Sequence, residues 1–124
     1  MKKKILIVED NPDLNKMLQL LLQNSYYTIS AMNGKQGVDM AATQLPDLIL
    51  MDIMMPEIDG LQATRLIRQN PKTRSIPIIV VTAMVGRIYE EECFQSGCDD
   101  YIVKPFTAEQ LVTRIEKLLK QYSI

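Results

Sequence analysis

The sequence predicts an α/β protein in which five parallel strands alternate with five helices, so that helices cover both faces of one sheet. Short apolar runs alternate five times with segments whose apolar residues recur at helical spacing. The run from Leu48 to Met51 is apolar without interruption, which is typical of a strand buried on both faces of a parallel sheet. Pro56 and the Asp59-Gly60 pair follow it as turn formers, which favours a strand over a buried helical turn.

Each predicted strand is an apolar run that ends in polar or turn-forming residues; the five runs are 4–8, 27–32, 47–51, 76–81 and 101–103. Asn11-Pro12 predicts the cap and first residue of the first helix. Asn33-Gly34 precedes the second helix, which runs to about residue 43, and the third ends before Pro71. The fourth, from about residue 85 to 94, is acidic and poorly periodic, with Gly97 as its expected stop. Thr107 and Gln110 predict a capping box for the fifth.

Four of the helices carry an apolar stripe that we expect to face the sheet. The expected stripes are Leu14, Met17, Leu18, Leu21 and Leu22 in the first helix, Val38, Ala41 and Ala42 in the second, Leu61, Thr64, Leu66 and Ile67 in the third, and Leu111, Ile115, Leu118 and Leu119 in the fifth.

Length and composition limit the kind of protein this can be. A chain of 124 residues predicts a single domain over residues 1–124. A formal net charge of -1 argues against direct binding of nucleic acid, and the apolar runs are too short for a membrane span. The basic N-terminus enters a short strand-like run without a small-residue cleavage site, so no signal peptide is predicted. Cys93 and Cys98 do not form a disulfide framework, so we expect two buried thiols and a cytoplasmic location. Because the chain has no histidine, its acid-base or metal chemistry must rest on carboxylates, lysine, hydroxyls and main chain.

Polar side chains stand at the ends of four of the five predicted strands: Glu9 and Asp10 after the first, Asp52 after the third, Thr82 after the fourth, and Lys104 after the fifth. Ligand sites of open α/β sheets lie at the carboxyl ends of the strands. Strand order 2-1-3-4-5 places the remaining strand at an edge and brings the other four ends together. The sequence therefore predicts a flavodoxin-like three-layer sandwich with these residues in one site.

Three converging carboxylates repel one another, so they either raise their pKa values or hold a cation. Mg²⁺ fits this set, because it prefers oxygen ligands and takes one or two carboxylates together with a phosphate oxygen. Asp52 could then attack phosphorus to form an acyl phosphate. Lys104 and the Thr82 hydroxyl would stabilise the phosphoryl oxygens.

Four motifs make the chain resemble the receiver domain of two-component response regulators: VEDN at 8–11, DIMMPEIDG at 52–60, VTA at 81–83 and DDYIVKPF at 99–106. The resemblance covers the chain from end to end. It implies that Asp52 is the phosphoacceptor and that Thr82 and Lys104 contact the phosphoryl group. It also implies the following features: a Mg²⁺ site made of Glu9, Asp10, Asp52 and the main-chain carbonyl of Met54, a switch formed by Thr82 and Tyr101, and a cis peptide bond at Lys104-Pro105.

The same resemblance implies a role in signalling rather than an enzyme that turns over a separate substrate. The donor would be a histidine kinase or a histidine phosphotransfer domain, and phosphorylation would switch the surface of the fourth helix, fifth strand and fifth helix. We expect a monomer or a weak, phosphorylation-dependent dimer. The sequence names neither the kinase nor the downstream output protein or domain.

Other interpretations of the same residues remain open at this point. Glu9-Asp10 could be a charge pair at a helix start, Asp52 a cap, Thr82 a strand-end hydroxyl and Lys104 a solvated lysine. A phosphatase with an aspartate nucleophile would place a second aspartate where Met54 stands. A flavodoxin-like cofactor binder would have a glycine- and hydroxyl-rich loop after the first strand, where this chain has acidic residues.

Met54 and Met84 predict a long-lived phosphoryl group. In the family that the chain resembles, side chains at these two positions flank the path of the water that hydrolyses the acyl phosphate. A thioether is a weak hydrogen-bond acceptor and aligns water poorly. We therefore expect slow self-dephosphorylation.

Overall fold

The structure is a computed structural model that describes residues 2–122 of the chain. Strands and helices alternate as expected. The strands are β1 (Lys4–Val8), β2 (Tyr27–Ala31), β3 (Leu48–Asp52), β4 (Ile78–Thr82) and β5 (Asp100–Val103). The helices are α1 (Pro12–Leu22), α2 (Gly34–Gln44), α3 (Gly60–Gln69), α4 (Arg87–Ser96) and α5 (Ala108–Tyr122).

All neighbouring strands of the sheet are parallel, in the order β2-β1-β3-β4-β5. The predicted fold class and strand order are therefore confirmed. In the register, Asp52 lies opposite Val81, and Thr82 lies opposite Val103. The carboxyl ends of β1, β3, β4 and β5 consequently meet at one edge of the sheet.

Alternate residues of the central strands pack into two separate cores, one on each face of the sheet. Successive side chains of a strand point to opposite faces of the sheet. In β1, β4 and β5, the even-numbered residues therefore lie on one face of each strand and the odd-numbered residues on the other. One core contains Leu6, Val8 and Met51 with residues of α2, α3 and α4, and the other contains Ile5, Ile7 and Leu50 with residues of α1 and α5. Burial on both faces explains why these strands are continuous apolar runs.

The positions of two elements differ from the prediction. β4 begins at Ile78, because Ile76 belongs to the preceding turn, where its N–H donates to the carbonyl of Thr73. α4 runs from Arg87 to Ser96, two residues later than predicted, and ends at Gly97 in the left-handed conformation. The expected stop at Gly97 and the capping box of Thr107 are confirmed.

The expected apolar stripes are confirmed only in part. Met17 and Leu66 are 50% and 40% exposed, so both predictions of burial are wrong. The positions that α1 and α3 bury include Asn15 and Ala63. In α2 the most buried residues are Gly34, Gly37 and Ala41, whereas Val38 and Ala42 are half-buried. Helix α2 lies so close to β1 that a Cβ at Gly37 would be 2.8 Å from a methyl group of Val8.

Of the stripe predicted for α5, Leu111, Ile115 and Leu118 are buried and Leu119 is half-buried. The two thiols, Cys93 and Cys98, are buried as expected. Across residues 2–122, no helix is both long and apolar enough to cross a bilayer.

Candidate functional site

Three carboxylates converge at the carboxyl edge of the sheet. Glu9 and Asp10 directly follow β1, and Asp52 is the last residue of β3. One oxygen of each residue lies within 4.8 Å of an oxygen of each of the other two. Glu9 is 3% exposed and Asp52 5% exposed, while Asp10 is half-buried.

Lys104 extends from the end of β5 to two of these carboxylates. Its Nζ lies 3.1 Å from Glu9 Oε1 and 3.2 Å from Asp52 Oδ1. Its main-chain N–H donates to the carbonyl oxygen of Thr82, so β4 and β5 are tied together at the site. The bond that follows, Lys104-Pro105, is cis, as the family resemblance implied.

Burial and charge shift the pKa values of the site residues. Burial raises the pKa of Asp52, Lys104 opposes this shift, and the negative charge of Asp10 adds to it. Burial also raises the pKa of Glu9, which the Asn11 N–H counteracts and Asp52 reinforces. For Lys104, burial lowers the pKa, but the charges of Asp52 and Glu9 outweigh burial and raise it.

Thr82, the last residue of β4, is fully buried beside the cluster. Its hydroxyl accepts a hydrogen bond of 3.0 Å from the main-chain N–H of Met84. The Tyr101 hydroxyl donates to the main-chain carbonyl of the same methionine. Tyr101 is therefore not part of the carboxylate cluster, but it is connected to Thr82 through the loop that follows β4.

The loop after β3 holds the end of that strand rigidly. The Gly60 N–H donates to the carbonyl of Ile53, and a Cβ at Gly60 would lie only 2.0 Å from the main-chain oxygen of Asp52. Asp59 caps α3 with a capping box. Met54 lies in this loop with a side chain that is 64% exposed.

Sequence reasoning missed two residues that shape the site. Asn15 is buried under Glu9, and Gly60 leaves space for the main chain of Asp52. The sequence does contain a signal for Asn15. This polar residue directly follows Leu14 and precedes Leu18 by three positions, so it lies within the apolar stripe of the helix. For Gly60 the sequence indicates only a turn.

The donor set of the cluster suits a divalent cation. Three carboxylates lie beside one ammonium group. When all are ionised, three negative charges and one positive charge give the cluster a net charge of -2. Carboxylate oxygens are the ligands that Mg²⁺ and Ca²⁺ prefer. Burial is the largest cause of the raised pKa values of Glu9 and Asp52, and repulsion between the carboxylates adds to it. These residues therefore fit a metal ion of charge two.

Fold and site together define a doubly wound α/β protein with an acidic cluster that could hold a metal ion, and a lysine beside it, at the carboxyl edge of the sheet. The family model described as the response regulator receiver domain matches residues 5–116. The chain therefore belongs to the family of response regulator receiver domains. It is thus a component of two-component or phosphorelay signalling.

Individual relatives support the same assignment. The polar-differentiation response regulator DivK of Brucella anthropi is 40% identical over 120 residues, which cover 96% of this chain and 98% of that protein. The response regulator ArlR of Staphylococcus saprophyticus is 42% identical over 95% of this chain, which spans about half (53%) of that protein. A solved structure is similar as well: the receiver domain of the sensor histidine kinase PA1611 of Pseudomonas aeruginosa, which contains a coordinated magnesium ion. Its TM-score is 0.90 and its sequence identity is 36%. The match covers 97% of this chain and 99% of that receiver domain.

Proposed function

We propose that this chain accepts a phosphoryl group on Asp52 from the phosphohistidine of a histidine kinase or a histidine phosphotransfer domain. A carboxylate oxygen of Asp52 attacks phosphorus, the bond between phosphorus and the imidazole nitrogen breaks, and the imidazole leaves after gaining a proton. The single observation that carries this proposal is the ion pair of Lys104 with Asp52 inside the carboxylate cluster. The lysine can stay with the phosphoryl oxygens as their charge develops.

The metal in this proposal is Mg²⁺, held by Glu9, Asp10, Asp52 and the main-chain carbonyl of Met54. When bound, it supplies positive charge to the phosphoryl oxygens. The net negative charge of the cluster supports this choice, as does the magnesium ion in the related PA1611 receiver.

Phosphorylation would redirect the Thr82 hydroxyl from the Met84 N–H toward a phosphoryl oxygen. The loop after β4 would then lose one of its two anchors, and the Tyr101 hydroxyl would lose its fixed acceptor on Met84. This shift biases the surface of α4, β5 and α5 between two states, which an output partner could distinguish.

The chain in this proposal is a single receiver domain over residues 1–124 that acts in the cytoplasm. It is a phosphoacceptor that assists its own phosphorylation and slow dephosphorylation, and does not turn over a separate substrate. We propose a monomer or a weak, phosphorylation-dependent dimer without direct nucleic-acid binding. The downstream output stays unassigned.

The test is incubation with a small phosphodonor such as acetyl phosphate and Mg²⁺, followed by intact-mass and peptide mass spectrometry. The wild-type chain should gain one acid-stable, base-labile phosphoryl group on Asp52, and Asp52→Ala should gain none there. Asp39→Asn, which removes an exposed carboxylate of α2, is the matched control and should be labelled normally. A label on another residue would refute the assignment. Turnover of a phosphate ester would instead support the phosphatase alternative.

Lys104→Ala separates phosphate contacts from metal contacts. The variant should retain Mg²⁺ binding, because the lysine is no metal ligand, yet it should fail to switch. The measurement is hydrogen exchange of the loop after β4 with and without phosphodonor. A phosphorylated variant whose loop responds like the wild type would contradict the role of Lys104.

A further inference from the structure

Asn15 is a buried polar side chain of α1 that the chemistry above does not use. It is 1% exposed, and its Nδ2 donates to the carbonyl oxygens of Glu9 at 3.0 Å and of Ala31 at 3.3 Å. Its Oδ1 accepts a hydrogen bond of 2.8 Å from Gln19. Only the NH₂ end of an amide can donate to two carbonyl oxygens, so these partners determine the orientation of the side chain.

The first of these hydrogen bonds is accepted by the peptide group that links Glu9 to Asp10, two of the three residues of the carboxylate cluster. The carbonyl oxygen of Glu9 belongs to the Glu9-Asp10 peptide, whose plane directs both side chains. The Glu9 N–H donates to Ala31, and one of its carboxylate oxygens accepts from the Asn11 N–H at 3.0 Å. Glu9 is thus held at its N–H and at its carboxylate by main chain, and at its carbonyl by the side chain of Asn15.

A buried amide is an unusual choice for this position. An apolar side chain of similar size would avoid the cost of burying polar atoms that must all find partners. Helix α1 already has a cap, because the Asn11 side chain accepts from the N–H groups of Asp13 and Leu14. Asn15 is therefore not needed to satisfy the start of the helix, and its bonds serve the strand ends instead.

We propose that Asn15 is a positioning residue for the cation site: it fixes the Glu9-Asp10 peptide and so keeps both carboxylates directed toward Asp52. This inference rests on the proposed function, since it concerns the same metal site. Groups that orient metal ligands from behind change metal affinity by about 10- to 100-fold when they are removed. We expect an effect in that range.

The principal variant is Asn15→Leu, which keeps the size of the side chain but leaves the Glu9 carbonyl without its donor. Its dissociation constant for Mg²⁺ should rise by about tenfold or more. Thr73→Val is the matched control, because the buried Thr73 hydroxyl also donates to a main-chain carbonyl, that of Ile67 at 2.7 Å, beyond the end of α3. The control should lose stability but keep the Mg²⁺ affinity of the wild type.

Two further variants refine the comparison. Gln19→Leu removes the donor to the amide oxygen of Asn15 but keeps both bonds to the strand carbonyls, so its Mg²⁺ affinity should change by less than about threefold. If Asn15→Leu does not fold, Asn15→Ala, which also leaves the Glu9 carbonyl without its donor, replaces it in the titration and is judged by the same criterion.

The measurement is a titration with MgCl₂ followed by ¹⁵N–¹H NMR, because the chain contains no tryptophan for fluorescence. Each variant is titrated well below its melting temperature. In the absence of metal, the amide nitrogen shift of Asp10 should also differ in Asn15→Leu, since that nitrogen shares a peptide with the Glu9 carbonyl. A loss of stability elsewhere would not move this signal.

The proposal is overturned if folded Asn15→Leu binds Mg²⁺ within about twofold of the wild type, or if Thr73→Val loses affinity by the same factor. A wild-type chain that binds no Mg²⁺ and accepts no phosphoryl group would instead refute the proposed function. The two failures are therefore distinguishable.

Discussion

Replacing Asp52 by Asn should stabilise the metal-free protein, because the charge it removes repels two neighbours and attracts one. At an effective dielectric constant of about 20, unit charges at 4.8 Å, the upper limit of the carboxylate oxygen separations, repel by about 3.5 kcal/mol, and charges 3.2 Å apart attract by about 5 kcal/mol. The two repulsions, from Glu9 and Asp10, exceed the attraction to Lys104 by about 2 kcal/mol. Solvent screens the half-buried Asp10 and Lys104, so we expect a gain of about 1 to 2 kcal/mol.

The pKa of Asp52 supports the sign of this prediction. Its pKa is raised above the ordinary 3.8, so the folded state disfavours the ionised carboxylate. The wild type therefore loses stability, relative to Asp52→Asn, as the pH rises from 3.8 through the raised pKa of the folded state. The stability difference between the two proteins should vanish in acid and be complete at neutral pH.

Mg²⁺ should stabilise the wild type more than it stabilises Asp52→Asn. A metal that binds only the folded state stabilises it by about 2.7 kcal/mol at a hundredfold excess over its dissociation constant. Asp52→Asn has lost one ligand, so its gain at the same Mg²⁺ concentration should be smaller. The charge that destabilises the metal-free site is thus the charge that binds the metal.

Thermal melts by circular dichroism at neutral pH, with and without Mg²⁺, provide the assay. For a chain of this length, 1 to 2 kcal/mol corresponds to a rise in Tm of about 4 to 8 °C. Asp39→Asn, which removes an exposed carboxylate from α2, should change stability by less than about 0.5 kcal/mol. An unchanged metal-free Tm for Asp52→Asn, together with a full Mg²⁺ shift, would refute the model of a repulsive carboxylate cluster.

Three other predictions concern the surroundings of the site and the core. Met54→Asn combined with Met84→Glu should speed loss of the phosphoryl group about tenfold, equivalent to about 1.4 kcal/mol of barrier, because polar side chains can hold the attacking water; equal decay after donor removal would show that other groups control this water. Gly60→Ala should lower the free energy of unfolding by about 3 kcal/mol or more, because the added Cβ would lie 2.0 Å from the main-chain oxygen of Asp52. A midpoint of urea unfolding within about 0.3 M of the wild type would contradict this. Burial raises the pKa of Cys93 to about 11 and the pKa of Cys98 to about 12. A thiol reagent at pH 8 should therefore label both residues slowly in the native protein and rapidly in urea. Fast labelling of the native protein would contradict their burial.

The alternation of elements, their parallel order and the residues at the strand ends could all be predicted from the sequence. Each depends on local information: apolar runs, helical spacing, and turn or cap residues directly beside them. The strand order needed one further step, the requirement that four polar strand ends share one edge. The structure confirms that step, with Glu9, Asp10 and Asp52 in one cluster and Lys104 bonded to two of them.

Errors arose where burial depends on the neighbouring element rather than on residue type. Met17 and Leu66 are apolar and at helical spacing, yet they point to solvent because α1 and α3 present adjacent residues to the sheet. The width of a buried stripe depends on how closely a helix lies against the strands. Helix α2 shows this, since Gly37 lies against Val8 of β1 and Gly34 against the main chain of Ile58.

The sequence by itself determined the fold class and the reactive side chains, because hydrophobic periodicity and chemically distinctive residues are local properties. Only the tertiary structure decided how those side chains are held. Asn15 and the Glu9 carbonyl are six residues apart, and Gly60 meets Asp52 across a loop, so both contacts exist only after α1 and α3 have packed against the sheet. A hydrogen bond or a close approach between such positions depends on distances that packing sets, and no local pattern encodes those distances.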